Sequence, residues 1–216
     1  MSVRADLHRA PAARRPSRTR ATAAARGRGA GTLTLRALDP FTDTELVHSW
    51  VTHPKAPHWQ RRDAKLHHVE REYMGIAASE HHHAYLGLLD GEPAFLMERY
   101  DPLRAAPVDL YEPEPGDVGL HVLLAPDHET VPDFAETVLA TALEYVFADP
   151  AAQRVVVESD AADTQARRRY EAVGFVPECE TGTPDGLALL SFCARERFEA
   201  AVVRRAVAGR PPHAAA

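Results

Sequence analysis

The chain has 216 residues, 45% hydrophobic and 26% charged, with a formal net charge of −6. That is the balance of one ordinary globular domain with a real core, and no apolar run approaches the ~20 residues that span a bilayer. The first 30 residues hold eight arginines and one aspartate, +7, so residues 31–216 carry −13, which argues against phosphate-dominated nucleic-acid binding by the body.

The basic arm, residues 1–30, has only Val3 and Leu7 as large apolar residues and is expected to be a disordered extension. It has no continuous apolar core of a secretory signal. Cys179 and Cys193 are the only cysteines, which argues against a disulfide framework and fits a reducing, cytoplasmic setting. The folded domain is expected over 31–204 and a flexible tail over 205–216.

Thr32 to Leu38 alternates polar and apolar residues and predicts a first strand. A short helix follows, capped by Thr42 or Asp43 and ended before Pro54. Over 64–79, Leu66, Val69, Tyr73, Met74 and Ile76 predict a helix with one apolar stripe. His83 to Tyr100 reads as two strands joined at Asp90-Gly91, the strongest hairpin signal in the chain. Four prolines between 102 and 115 mark a loop. "GDVGLHVLLAP", Gly116 to Pro126, reads as a buried strand with a single imidazole in it. Val131, Phe134, Val138, Leu139, Leu143, Val146 and Phe147 fall at helical spacing, with Pro132 and Asp133 suited to the first turn. "RVVVESD" is a short strand, 163–173 a helix ended by Gly174, and "FVPECE" and "LALLSFCA" a last strand pair. The order predicts a mixed α/β domain in which the first strands pair antiparallel and the later ones alternate with helices.

The segment "ESDAADTQARRRYEAVGF" resembles the closing part of the GCN5-related N-acetyltransferase (GNAT) fold, with Asp163, Ala166, Tyr170, Gly174 and Phe175 at the matching places. Together with "GDVGLHVLLAP" and "FADPAAQRV" it looks like the siderophore-biosynthetic acyltransferase branch, across nearly all of residues 32–200. The resemblance implies a single α/β domain, a mixed central sheet with a splayed strand pair and flanking helices. It implies acetyl-CoA or another acyl-CoA as co-substrate, no metal, and a small-molecule amine or hydroxylamine acceptor. It implies no nucleic acid or membrane partner, in a monomer or homodimer.

By the same resemblance His121 and Asp160 are the catalytic pair, Tyr170 an acid for the departing thiolate, and Leu123 and Leu124 backbone contacts for pantetheine. Asp163 stands where the family has Asn; its simpler reading is a helix cap. Arg168 is a candidate cofactor contact and otherwise a solvated side chain. Trp50, His53, Trp59 and Asp117 are expected on the acceptor side. The chemistry suits these residue types, because an amine attacking a thioester must lose a proton and histidine titrates closest to neutral pH.

One segment departs from the pattern. Where the family cradles the pyrophosphate in a Gly- and Arg-rich loop at a helix start, "DHETVPDFAE" has neither residue and carries Asp127, Glu129 and Asp133. Three readings therefore stand: a hydroxamate-forming N-acyltransferase, an aminoglycoside-type N-acetyltransferase, and a non-catalytic binding protein. His81–His83 has no helical metal spacing, and Cys179 and Cys193 read as small core residues.

Overall fold

The computed structural model describes residues 31–54, 63–104, 111–128, 131, 133–183 and 186–208. In chain order the elements are β1 (Leu33–Ala37), α1 (Thr44–Val51), α2 (Leu66–Ala78), β2 (His82–Leu89), β3 (Glu92–Tyr100), β4 (Asp117–Leu124), α3 (Phe134–Phe147), β5 (Arg154–Asp160), α4 (Thr164–Ala172), β6 (Val176–Thr183), β7 (Gly186–Ala194) and α5 (Arg195–Ala208). The strands form one seven-stranded sheet, β1-β2-β3-β4-β5-β7-β6. Every neighbouring pair is antiparallel except β4 and β5. The predicted mixed α/β architecture is thus observed; α5, absent from the sequence-based order, completes it.

Strand alternation sorts the core into two layers. Phe95 and Met97 of β3, Leu120 of β4, and Val155 and Val157 of β5 face α3 and Phe198 of α5. Leu86, Leu96 and Leu123 face the other way, onto Val47, Trp50 and Val51 of α1 and Val69, Tyr73 and Ile76 of α2. Both sides of the sheet centre are therefore buried, and a polar side chain there needs a partner.

The β2–β3 hairpin turns at Asp90 (φ 51) and Gly91 (φ 96), the left-handed pair that matches strand twist. Asp90 Oδ1 also accepts from Thr32 N at 2.7 Å, tying the start of β1 to the turn. Asp43 precedes α1, but its carboxylate makes no cap bond to the helix. It takes both Nη atoms of Arg36 at 2.6 and 2.7 Å and Asp39 N at 2.8 Å.

Two helix starts lie later than the pattern predicts. α2 begins at Leu66, and Leu66 and Met74 are exposed while Val69, Tyr73 and Ile76 are buried, so the apolar stripe is narrower. α3 begins at Phe134, leaving Val131 exposed outside it. Asp133 precedes α3 with φ 59, a conformation that stops helical geometry from extending toward Val131.

β4 and β5 pair over three residues only, Asp117 with Arg154, Val118 with Val155 and Gly119 with Val156. Asp117, expected at the acceptor, clamps the base of this ladder. Its Oδ1 lies 2.7 Å from Arg154 Nε and its Oδ2 2.8 Å from Nη2, and Oδ2 also accepts from Glu114 N at 3.0 Å. The Arg154 guanidinium sits 4.6 Å over the Phe192 ring. The fork raises the Arg154 pKa, and burial opposes it. Replacing Arg154 by Met strands a carboxylate that is 2% exposed; the expected loss is about 3 kcal/mol, read as a lowered urea midpoint at unchanged slope.

Candidate active site

Past Gly119 the two central strands part. Ala125 N donates to Ala94 O at 2.9 Å, so with an unbroken register the pairs 96/123, 98/121 and 100/119 are the hydrogen-bonded ones. The backbone of Leu123 is therefore committed to β3. The polar groups of Val122 and Leu124 point the other way, to the edge that β5 has left. Of the two leucines expected to meet pantetheine by their backbone, Leu124 faces the opening and Leu123 does not.

His121 stands on β4 directly across from Glu98 on β3, on the α1–α2 face of the sheet. The strand is not buried at this position: the His121 side chain is 42% exposed, while that of Glu98 is 4% exposed. The fully covered neighbours Leu120 and Leu96 belong to strands that are core on either side, and His121 is open because β5 has left its flank.

Glu98 is held from three elements. Tyr73 of α2 donates its hydroxyl to Oε1 at 2.6 Å. His82 Nε2 lies 3.3 Å from Oε2, and His121 Nδ1 lies 3.8 Å from that same oxygen. Burial pushes the Glu98 carboxyl up, but the two imidazoles and the tyrosine outweigh it and hold it well below the usual carboxylate range.

Tyr100, two residues along β3, lies 5.1 Å from the His121 ring. Its ring crosses β4 at Gly119, where a Cβ would come within 2.2 Å of it. Burial, with the charges of Glu158 and Glu98 behind it, pushes the Tyr100 hydroxyl up to about 12. Glu158 therefore faces this group from β5, and alternation places Asp160 on the same face two residues on. Asp160 Oδ1 accepts from Ala162 N at 2.8 Å. The carboxylate seated against His121 is that of Glu98.

The remaining expected residues distribute as follows. Asp163 caps α4, its Oδ1 accepting from Gln165 N at 3.0 Å and Ala166 N at 2.8 Å. Tyr170, on α4, packs its ring 5.3 Å from Phe175, and burial, then the Asp163 charge, pushes its hydroxyl up to about 12. Gly174 ends that helix with φ 110. Arg168 is exposed. Trp50 is a core residue of α1, 6% exposed. His53 is half-buried just after α1, its N–H bonded to Trp50 O at 3.1 Å. Trp59 lies outside the described residues. At the start of α3, Asp127 and Asp133 are exposed and Glu136 occupies the first turn, whereas Glu129 and Pro132 lie outside the described residues. Among the described residues no group of three or more His, Cys, Asp or Glu side chains is placed to hold a metal ion.

Glu98, His82, Tyr73 and Tyr100 were not singled out from the sequence as site residues. The available signal was "FLMERY": a glutamate following a run of buried strand residues, which alternation places on a face with no water to solvate it.

Two expectations follow from this geometry. Gly119→Ala should destabilise by about 1–3 kcal/mol through overpacking, and Tyr100→Ala should relieve part of that cost, giving a non-additive double-mutant cycle in urea unfolding. Glu98 has a folded-state value depressed below its unfolded one. Its contribution is therefore complete above the unfolded value of about 4.3 and drains as pH falls below it. Glu98→Gln should flatten the acid limb of the stability–pH curve measured by denaturant unfolding.

Comparison with known proteins places the chain. The acetyltransferase (GNAT) domain family matches residues 39–182. An aminoglycoside N(6')-acetyltransferase type 1 of Klebsiella pneumoniae is 25% identical over 174 residues, 77% of this chain and 85% of that protein. N-hydroxyputrescine acetyltransferase of Acinetobacter baumannii is 26% identical over 157 residues, 72% and 74% of the two chains. In structure, AAC(6')-Ib in complex with ribostamycin and coenzyme A superposes with a TM-score of 0.69 at 25% identity, covering 77% of this chain and 96% of that one. A protein of Bacillus halodurans reaches a TM-score of 0.75 at 21% identity, covering 82% and 92%.

Proposed function

The chain belongs to the acetyltransferase (GNAT) family, whose members transfer an acyl group from acyl-CoA to an amine without a metal, and on that premise we propose that it acylates the hydroxylated amine of a diamine or lysine-type acceptor in hydroxamate siderophore assembly. The observation that carries this reading is His121. It is a half-exposed imidazole on β4, at the point where β4 and β5 part and beside the backbone groups of Val122 and Leu124, which face away from β3 and, among the described residues, pair with no strand.

In the proposed reaction the acyl-CoA lies along that edge of β4. The acceptor nitrogen attacks the thioester carbonyl, and a C–N bond forms as the carbonyl π pair moves onto oxygen, where a strand N–H stabilises it. His121 accepts the proton that the nitrogen loses. The oxygen pair then re-forms the carbonyl, the C–S bond breaks, and the thiolate leaves as CoA thiol after taking a proton, with Tyr170 its proposed donor. Asp160 and Glu158, on the same face as His121, provide negative charge for a cationic acceptor chain. Asp163 serves as a helix cap in place of a pantetheine contact, and Asp117 as a clamp in place of an acceptor contact.

The aminoglycoside reading is retained because the aminoglycoside N(6')-acetyltransferase aligns over a longer stretch than the N-hydroxyputrescine enzyme does. Both acceptor classes carry at least one further protonated amino group, so an acidic site face suits either. The acidic approach to α3 opposes a pyrophosphate, which makes acyl-CoA affinity the first quantity to measure.

Calorimetric titration with acetyl-, succinyl- and longer acyl-CoA should show binding that His121→Ala leaves largely intact, while that variant loses about 10²–10⁴ in kcat. A panel of N-hydroxycadaverine, N6-hydroxylysine and N5-hydroxyornithine against kanamycin then separates the two acceptor classes by kcat/KM. Absence of any acyl-CoA binding at millimolar concentration overturns both enzymatic readings in favour of a non-catalytic one.

A further inference from the structure

His121 alone does not specify which ring nitrogen is basic, nor what stabilises the imidazolium once it has taken a proton. The described site has a carboxylate placed for both purposes. Glu98 is opposite His121 in a hydrogen-bonded strand pair, so the distance between the two backbones is fixed by the ladder itself. Its Oε1 is taken by Tyr73 from α2, and its Oε2 faces His121 Nδ1 and His82 Nε2 together. Because Nδ1 is the nitrogen turned to Glu98, Nε2 lies on the far side of the ring. The carboxylate is buried and cannot itself reach an acceptor.

We propose that Glu98 is the positioning residue of the site: it holds the His121 imidazole with Nδ1 toward the carboxylate and Nε2 turned away from it, and His82 tunes that pair by competing for the same oxygen. This rests on the reading of His121 as the base. It assigns the supporting carboxylate to β3, where the family resemblance had placed it at Asp160 on β5. Among the described residues, the titratable groups facing the pair are Tyr100 on β3, Tyr73 on α2, His82 on β2 and Glu158 on β5, with Asp160 on the same face of β5 by alternation. Tyr100, its hydroxyl pushed up to about 12, stays neutral near pH 7, and Tyr73 donates its hydroxyl to Oε1, so His82 is the second imidazole on Oε2. Glu158 and Asp160 add negative charge on the solvent side, where water screens it.

The consequence is a pair of opposite shifts. Glu98→Gln keeps the side-chain volume and an acceptor for Tyr73 but removes the charge. It should lower kcat by about tenfold or more with acceptor KM within about twofold, and move the acidic limb of the kcat/KM–pH profile to lower pH by about one unit. His82→Asn removes the competitor and should move that limb to higher pH. A merely structural Glu98 would change the amount of folded enzyme and leave both limbs in place.

The tautomer is read separately, from 15N-histidine NMR of the free protein. Neutral His121 should carry its proton on Nδ1, and Glu98→Leu should abolish that preference; if this variant does not fold, the Glu98→Gln and His82→Asn profiles decide. Unmoved limbs in both variants, or an Asp160→Asn shift as large as that of Glu98→Gln, would overturn the assignment. An Nδ1–H tautomer in a protein whose His121→Ala variant keeps full activity would sink the base reading and leave the Glu98–His121 pair standing. A mixed tautomer beside an inactive His121→Ala variant would do the reverse.

Discussion

The fold depends on one short parallel ladder. β4 and β5 share three residue pairs, and the Asp117–Arg154 fork closes the end of that ladder. A longer ladder would seal the sheet and bury His121; a looser one would separate the α3 core from the β7 half of the molecule. The clamp is charged and sits at the chain-entry end of both strands, so the strands are pinned where they start and free to diverge where they end. Divergence then does two things at once: it exposes one imidazole and releases the backbone groups of alternate residues on β4.

Placing polar groups in the centre of a sheet covered on both faces carries a desolvation cost. Here that cost is offset locally. Glu98 receives a hydroxyl from α2 and faces imidazoles from β2 and β4, so three neighbouring elements converge on one carboxylate. Tyr100 fits beside it only because position 119 has no side chain. The "GDVGLH" stretch thus combines a clamp, a ring-sized gap and an imidazole at alternate positions 117, 119 and 121, all on one face by the period of the strand.

That period explains what the sequence made legible. Alternation and turn chemistry placed the strands and the Asp90-Gly91 hairpin, and the spacing of apolar residues placed the helices. The motif residues His121, Tyr170 and Gly174 were picked out by resemblance, in an order of elements that the structure reproduces. Helix starts were less legible because apolar residues at or before the first turn, Leu66 and Val131, look the same in a periodic pattern whether or not they are packed. Asp117 reads as a free acid in one dimension; its partner Arg154 is 37 residues away and becomes its neighbour only through the parallel crossover. Glu98 was hidden for a related reason. Its significance lies in contacts with Tyr73, His82 and His121, on three other elements and all well separated from it in the chain.

The acidic start of α3 and the acidic face near His121 belong to one electrostatic problem. A cationic acceptor gains from Glu158 and Asp160, whereas a nucleotide pyrophosphate loses from Asp127, Asp133 and Glu136 at a helix end whose own dipole favours anions. The three acids near that helix end are mostly solvent-facing, so screening reduces the repulsion to a modest term at physiological salt. The released edge of β4 is different in kind: its hydrogen bonds are short-range and unaffected by that charge. On the proposed reading, an acyl-CoA would therefore be held chiefly through its amide-bearing arm along the strand and only weakly at its nucleotide end. Such a division leaves the reactive thioester beside His121 while limiting the grip on the spent CoA, so release of product need not be slow.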